Sequence, residues 1–542
     1  MIPPGVATVK RLIPLILAAL VAAVAYFYLA PTTNSTTLRI VAGSENQALE
    51  PLVEDWAGRN GVAVEMTYLG SVDISRALAA GKASEYDAVW PAHSLWIELG
   101  DTQKAVAHAT SILRSPVVLG VKKPIAEGLG WVGRGDVTVQ EIEAAAQSGA
   151  FRLSMTSATQ SNSGASAYFG FLYALAGNPD VLTLDILAEP KLQEDMRTLL
   201  SQVDRSSGSS GWLKDSLVAN PDRFDAMINY ESVVIEANQA LVAAGETPLY
   251  IVYPANGLSV ADSPFGLIDK GDAAKEKAFL DLQAFLLSPD TQGKLSDLGR
   301  RAGLIGLSAE DADPKVWNPD WGVDLKRDIA PIPTPASAVI AEALALYQSE
   351  LRKPSLTVWV LDVSGSMEGE PLAQLKSAMT LVLDPQAAAV NLLQPSRRDV
   401  TIILPFNHTT EEATIVRGGT AADLSAALSR VNALRADGGT DVYGAIGTAV
   451  DLLEPFQRDG TLRDYLPAIV AMTDGQSETI NQEWMEQKLA SEPWAQAIPI
   501  HSIAFGAADE EQLKALSAAS VGRMFKAGDD IAAALRSAKG YN

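Results

Sequence analysis

The 542-residue chain has no cysteine, which excludes disulfides, thiolate metal sites, a cysteine nucleophile and a lipidated N-terminal cysteine. Histidine is nearly as scarce. The four that occur, His93, His108, His408 and His501, are widely spaced and never stand at the i, i+4 interval of a zinc-binding helix, so each reads as an ordinary surface or core residue. Positive charge is short as well: 42 Lys and Arg against 65 Asp and Glu leave a formal net charge of −23. Residues 355–542 alone carry 14 basic and 24 acidic side chains, a net −10. Nucleic-acid binding needs clustered Lys and Arg to displace counterions from phosphate, so nucleic acid is not expected as a partner. Nucleotide and nucleophile motifs are missing too. There is no P-loop string and no G-x-S-x-G elbow. The one G-x-G-x-x-G match, GLGWVG at 128–133, is separated from the preceding strand by Lys122–Glu127 and followed by a second turn, so it fails the dinucleotide context.

What is present is apolar material, 47% of the chain, enough for buried cores and spread over too great a length for a single domain. Residues Leu12–Leu29 form an uncharged run, LIPLILAALVAAVAYFYL, preceded by Lys10 and Arg11 and closed by Tyr26, Phe27 and Tyr28. As a helix it would be about 27 Å long, just enough to cross a bilayer, with positive residues inside and an aromatic belt outside. The expectation is a cytoplasmic N-terminus at 1–11, a single-pass anchor at 12–30, and the bulk of the chain extracytoplasmic at the cell membrane. A cleaved signal peptide ending at Ala23-Val24-Ala25 is the rival reading, disfavoured because the apolar run continues past it.

Beyond Thr37 short apolar runs alternate with helical patterns, an α/β rhythm throughout. Strands are predicted at 38–43, 62–70 and 86–91, with helices at Ala48–Arg59 and Ile74–Ala80 between them. A segment dense in Pro and Asp, 311–335, divides the rest into a first unit at 38–310 and a second at 336–542, and its Trp317 and Trp321 are expected to pin it to a neighbour.

In the second unit LTVWVLDVSGSM at 356–367 reads as a buried strand ending at Asp362, then a turn bearing Ser364 and Ser366, before a helix near Pro371. Ligands bind at the carboxyl ends of strands in an open parallel sheet. Two further segments offer oxygen there: DGGTDVYGAI at 437–446 with Thr440, and IVAMTDG at 469–475 with Asp474. Two carboxylates and three hydroxyls suit Mg²⁺, Mn²⁺ or Ca²⁺. The bland alternative is that Asp, Ser and Gly gather at 362–366 as turn and cap residues. The five positions together resemble the von Willebrand factor type A domain, whose metal-ion-dependent adhesion site carries a D-x-S-x-S turn, a distant Thr and a distant Asp. The resemblance covers about 355–542. It implies a Rossmann-like, doubly wound α/β domain in which Asp362, Ser364, Ser366, Thr440 and Asp474 hold the metal, and a partner protein that supplies an Asp or Glu carboxylate to the ion. Later elements predicted at 400–406, Val442–Leu453, 499–505 and Glu510–Ala518 fit it.

In the first unit several strand-to-helix junctions carry hydroxyls: Ser44, Ser71, Ser94, Ser161 and Ser163, with Tyr230 and Glu231 at another. Converging helix N-termini would hold an anion or a polar solute, although serine is also an ordinary N-cap. LRIVAGSENQALEPLVEDWAGRNGVAVEMTYLGSVDI, YDAVWPAHSLWI and RLSMTSATQSNSGASAYFGFLYALAG resemble the two-lobed, type II bacterial extracellular solute-binding proteins. That likeness implies two α/β lobes with a solute between them and chain crossovers near 112–118 and 247–255. No Arg or Lys stands at the matched junctions, so a fully ionised phosphate would depend on backbone dipoles alone. Glu231 is left to meet a cation, to meet a ligand hydroxyl, or to cap its own helix.

The sequence thus predicts a membrane-anchored, two-module binding protein with no catalytic residue. It would combine divalent-metal-dependent protein binding with binding of a small solute. Its alternative is the substrate-binding component of a transport system carrying an accessory docking domain. A hydrolase that uses the same ion to activate water is disfavoured, because no general base is obvious beside Asp362, Ser364 or Ser366, and Glu368 and Glu370 read as solvent-facing acids. The Trp-bearing connector raises the further expectation that solute-driven closure alters how the metal face is presented.

Overall fold

A computed structural model describes residues 36–302, 312–327, 329, 331–506, 508–528 and 531–540. The expected anchor at 12–30 lies outside them, and no described helix is long and apolar enough to cross a membrane.

The first unit starts with Thr37–Ala42 (β1), Ala63–Tyr68 (β2), Ala88–Trp90 (β3) and Val106–Ser111 (β4). The chain then crosses at Ile112 into a second lobe built on Leu113–Lys122 (β5), Leu153–Thr156 (β6), Val203–Ser207 (β7), Ala226–Tyr230 (β8), Leu249–Val252 (β9) and Val260–Ala261 (β10). It returns through Pro264–Ile268 (β11), and Arg301–Ala302 (β12) pairs with the start of β5. The first sheet has the order β2-β1-β3-β11-β4, the second β10-β5-β8-β6-β7 with β9 also on β5. Strands separated by helices pair in parallel, as β1 does with β2 and β3, because a crossover helix must pack back on the sheet. The expected return near 247–255 is therefore misplaced: β9 and β10 both pair with β5, and the chain changes lobe at Asp262–Ser263.

The boundary between units also differs from the sequence reading. The helix Ser337–Leu346 was expected in the second unit, yet Val339, Ile340, Ala343 and Leu344, with Tyr347 behind them, belong to the same core as Tyr168, Leu192 and Met196 of the second lobe. Tyr168 Oη donates to the carbonyl of Ala343 at 2.8 Å, and the Tyr168 and Tyr347 rings lie 5.2 Å apart. SAVIAEALAL is apolar around most of its circumference; periodicity says that it is buried but not against which neighbour. Trp317 and Trp321 of the connector are likewise buried beside Leu217, Ile251 and Tyr253, and Trp317 Nε1 donates to the carbonyl of Ser296 at 3.1 Å.

The last unit is a six-stranded sheet ordered β15-β14-β13-β16-β17-β18, made of Ser355–Asp362 (β13), Val400–Phe406 (β14), Thr414–Arg417 (β15), Leu466–Thr473 (β16), Ile500–Ala504 (β17) and Met524–Lys526 (β18). Only β15 is antiparallel. Central β13, SLTVWVLD, is buried at every residue, as a parallel strand covered on both faces must be. Leu356, Val358 and Val360 face the helix Val442–Arg458, while Trp359 and Leu361 face Glu370–Leu383. The first of these helices outruns the predicted Leu453, passing through Pro455 to seat Phe456 on Tyr465.

Because Tyr347 fills the second lobe from beyond the connector, Tyr347→Ala is expected to cost about 3–5 kcal/mol in that lobe. Urea unfolding followed by circular dichroism should show an early transition that leaves the last unit folded.

Candidate functional site

β13 and β16 pair in parallel with Leu361 opposite Met472, so the next residues, Asp362 and Thr473, leave the sheet side by side. Here the chain has gone from β13 to β14 on one side and comes back to β16 on the other, which is the switch point where such sheets open a crevice. Thr473 Oγ1 donates to Asp362 Oδ2 at 2.6 Å, and the Ser364 N–H donates to Oδ1 at 2.8 Å. These two bonds fix the plane of a carboxylate that is fully buried. The hydroxyls of Ser364 and Ser366 lie 3.1 Å apart.

The segment bearing Thr440 is tied to this turn through its backbone. The Gly365 N–H donates to the Gly438 carbonyl at 2.9 Å and the Asp437 N–H to that of Val363 at 2.8 Å. Gly438 has φ +81°, and a Cβ there would lie 2.8 Å from His408 Nδ1, so D-G-G is what lets the loop come this close. From the other side the Glu478 N–H donates to the Thr440 carbonyl at 2.9 Å.

Asp474 follows Thr473 directly. It is buried, and its Oδ1 has no hydrogen-bond partner. Burial pushes the Asp362 carboxyl above its ordinary range, and repulsion from Asp474 adds to the rise, against the lowering effect of the bonds from Ser364 and Thr473. Two neighbouring buried carboxylates, one with an orphaned oxygen, form a site that a cation would relieve. Among the described residues no three His, Cys, Asp or Glu side chains gather as a metal group; a centre here would draw on two carboxylates and the hydroxyls of Ser364, Ser366 and Thr440. Such a donor set fits a hard divalent ion. Thr473 was missed in the sequence: it precedes Asp474 in MTDG, but its role depends on the β13–β16 register.

Between the lobes lies a cavity of about 470 Å³. Ser44, Ser71 and Ser161 line it, as the helix junctions predict, and Glu45, Gln160 and Trp212, which carry no sequence signal of their own, join them. The lobes touch across it. The Ser71 N–H donates to the Gln160 carbonyl at 2.9 Å, Ser209 Oγ donates to Ser44 Oγ at 3.0 Å, and a Cβ on Gly70 would lie 2.5 Å from the Gln160 oxygen. The other predicted residues go elsewhere. Ser94 is exposed, its N–H donating to Asp262 Oδ1 at 2.8 Å. Ser163 is buried behind the wall against Thr156 and Ser210, and Tyr230 accepts from Asn162 Nδ2 at 3.0 Å. Glu231 is fully buried in a fork with Arg301, at 2.7 and 2.8 Å, and takes a bond from Tyr253. It is a structural ion pair, satisfied by an arginine seventy residues on, and not a ligand group.

A two-lobed α/β clamshell joined to a doubly wound sheet with an oxygen-rich switch point defines a protein built to bind. Residues 38–301 match the family of bacterial extracellular solute-binding proteins, and residues 358–537 match the von Willebrand factor type A domain. The chain therefore joins a domain of the first family to one of the second. Among solved structures it is similar to the periplasmic molybdate-binding protein of Azotobacter vinelandii, at 16% identity over 48% of this chain and 98% of that one, TM-score 0.33. It is also similar to maltose-bound MalE3 of T. maritima, at 14% identity over 58% and 93% of the two chains, TM-score 0.42. No curated protein matches the sequence.

The cavity also yields a pH dependence. Burial pushes the Glu45 carboxyl up to about 7. Between the ordinary carboxylate range and that value the unfolded chain releases the proton while the folded chain keeps it, so stability falls as pH rises through this window, by about 3 kcal/mol at most. Glu45→Gln should remove that fall. Urea titrations at about pH 5 and about pH 8 should show a smaller stability difference between the two pH values for the variant than for the parent.

Proposed function

We propose that the protein is a membrane-anchored, extracytoplasmic binding protein whose type A domain grips a partner protein through a divalent metal, while its clamshell takes up a small solute. The anchor is the uncharged run at 12–30, with the folded units outside the cytoplasm. The observation that carries the metal reading is the orphaned, buried Asp474 Oδ1 beside the buried Asp362 carboxylate.

Mg²⁺, or Mn²⁺ or Ca²⁺ in its place, would be held by Asp362, Ser364, Ser366, Thr440 and Asp474. When bound, such an ion offers positive charge to an Asp or Glu carboxylate from the partner, since only two protein carboxylates offset it. Thr473 and the Ser364 N–H hold Asp362 in one orientation, the positioning role that outer hydrogen bonds play around metal ligands. Binding, not catalysis, is the function of both modules in this reading.

The test is the melting temperature of the full chain in detergent with and without Mg²⁺. An ion at about a hundred times its dissociation constant adds about 2.7 kcal/mol to the folded state, and the transition of the last unit should rise accordingly. Asp362→Ala should abolish that rise and leave any stabilisation by solutes intact. An equal rise in the variant places the ion elsewhere and defeats the metal reading.

A further inference from the structure

From within the clamshell Arg300 Nη2 donates to the Glu45 backbone carbonyl at 3.0 Å, and the structure brings a second arginine to the cavity from another domain. Arg523, just before β18, Phe525, on β18, and Ser537, on the helix Ile531–Gly540, line the same space as Ser44, Glu45 and Trp212. Their placement is held by contacts between domains. Arg536, on that helix, forms an ion pair with Asp73 of the first lobe, with the two side chains 3% and 12% exposed. Arg76 Nη2 donates to the Val390 carbonyl at 2.7 Å. Arg523 is positioned from its own domain, its N–H donating to His501 Nδ1 at 3.0 Å and its guanidinium lying 5.6 Å from the centre of the Phe525 ring.

We propose that the type A domain is the third wall of the solute site, and that Arg523 recognises the carboxylate of a small amino or hydroxy acid held between it and Glu45. This rests on the reading of the clamshell as a solute receptor. Three observations support it. With the third wall in place the cavity still measures about 470 Å³, within the ~300–1,000 Å³ typical of small-molecule sites, so wall and ligand coexist. Of the acids lining it, Asp73 is paired with Arg536, and Asp215 lies 3.0 Å from Lys214 Nζ. Glu45 keeps a buried oxygen, Oε1, without a hydrogen-bond partner, and that oxygen calls for a donor such as an ammonium or a hydroxyl. An acid that seeks a donor and an arginine in one cavity suit a ligand that carries a donor and a carboxylate together, with Trp212 and Phe525 as its apolar contacts. Lifting the type A domain from the Asp73–Arg536 contact removes one wall of the cavity and takes Arg523 away from the solute, so solute occupancy and domain docking are linked, and linkage is reciprocal.

The absence of native cysteine allows a clean test on the full chain. In Ser44→Cys the single thiol lies in the cavity, and its rate of reaction with a water-soluble maleimide reports access. Adding Arg536→Ala and Arg76→Ala is expected to raise that rate about tenfold or more, consistent with loss of charged contacts; equal rates in the two backgrounds, both folded by circular dichroism, overturn the third wall. A second arm titrates the common amino acids with lactate, glycerate and malate, read by melting temperature. A stabilising member should lose about tenfold or more in affinity in Arg523→Gln, with exposed Arg134→Gln unchanged as control. Equal affinity in Arg523→Gln overturns the role of Arg523 while the solute-receptor reading stands. Binding by none of the panel overturns the ligand class, and the labelling rates still decide the wall.

Discussion

The parallel pairing of β13 with β16 is the constraint on which the candidate metal centre depends. It sets Asp362 against Thr473 at the point where strand order reverses, and every other donor is brought to that spot by short loops hydrogen-bonded to it. A slip of one residue would turn Asp362 to the opposite face of the sheet and break the bond from Thr473. The buried stretch from Ser355 to Asp362 guards against such a slip, because Trp359 and Val360 fill different cores on opposite faces. Packing energy in the sheet is thus what holds two carboxylates together in a place where, as bare charges, they repel.

The clamshell uses a different device. Its lobes are joined by crossings at Ile112, at Asp262–Ser263 and again through Arg301–Ala302, which leads from Leu295 of the first lobe toward Trp317 on the second, and they close through backbone contact at Gly70 and Gln160 and a hydroxyl pair at Ser44 and Ser209. The second lobe is completed from beyond the connector by the helix Ser337–Leu346, and the last domain rests on that lobe through Lys353 Nζ, which donates to the Val203 carbonyl at 3.1 Å, and Arg205, which donates to that of Ala497 at 3.2 Å. The units therefore share a core element and a polar seam, unlike beads on a flexible linker.

How much of this was legible in the sequence follows from the range of the interactions involved. Asp362, Ser364 and Ser366 were readable because one strand and one turn carry them, and Thr440 and Asp474 because each ends a recognisable local pattern. Thr473 was not, since its partner lies on a neighbouring strand. Ser44, Ser71 and Ser161 stand at helix starts and were readable as such. Ser163 and Tyr230 stand at similar junctions, yet burial turned them into core contacts, and Glu231 was claimed by Arg301. The wall formed by Arg523, Phe525 and Ser537 has no local signature at all. It arises from how one domain seats on another, and no period or turn motif encodes that. The misplaced boundary at Ser337 has the same origin: an apolar helix announces burial without naming its neighbour.

The most direct measurement is a crystal structure of the protein grown with Mn²⁺, read by anomalous scattering. The account predicts a single strong peak between the carboxylates of Asp362 and Asp474, beside the hydroxyls of Ser364, Ser366 and Thr440. A map with no peak at that switch point, or with the manganese held by other residues, would contradict it.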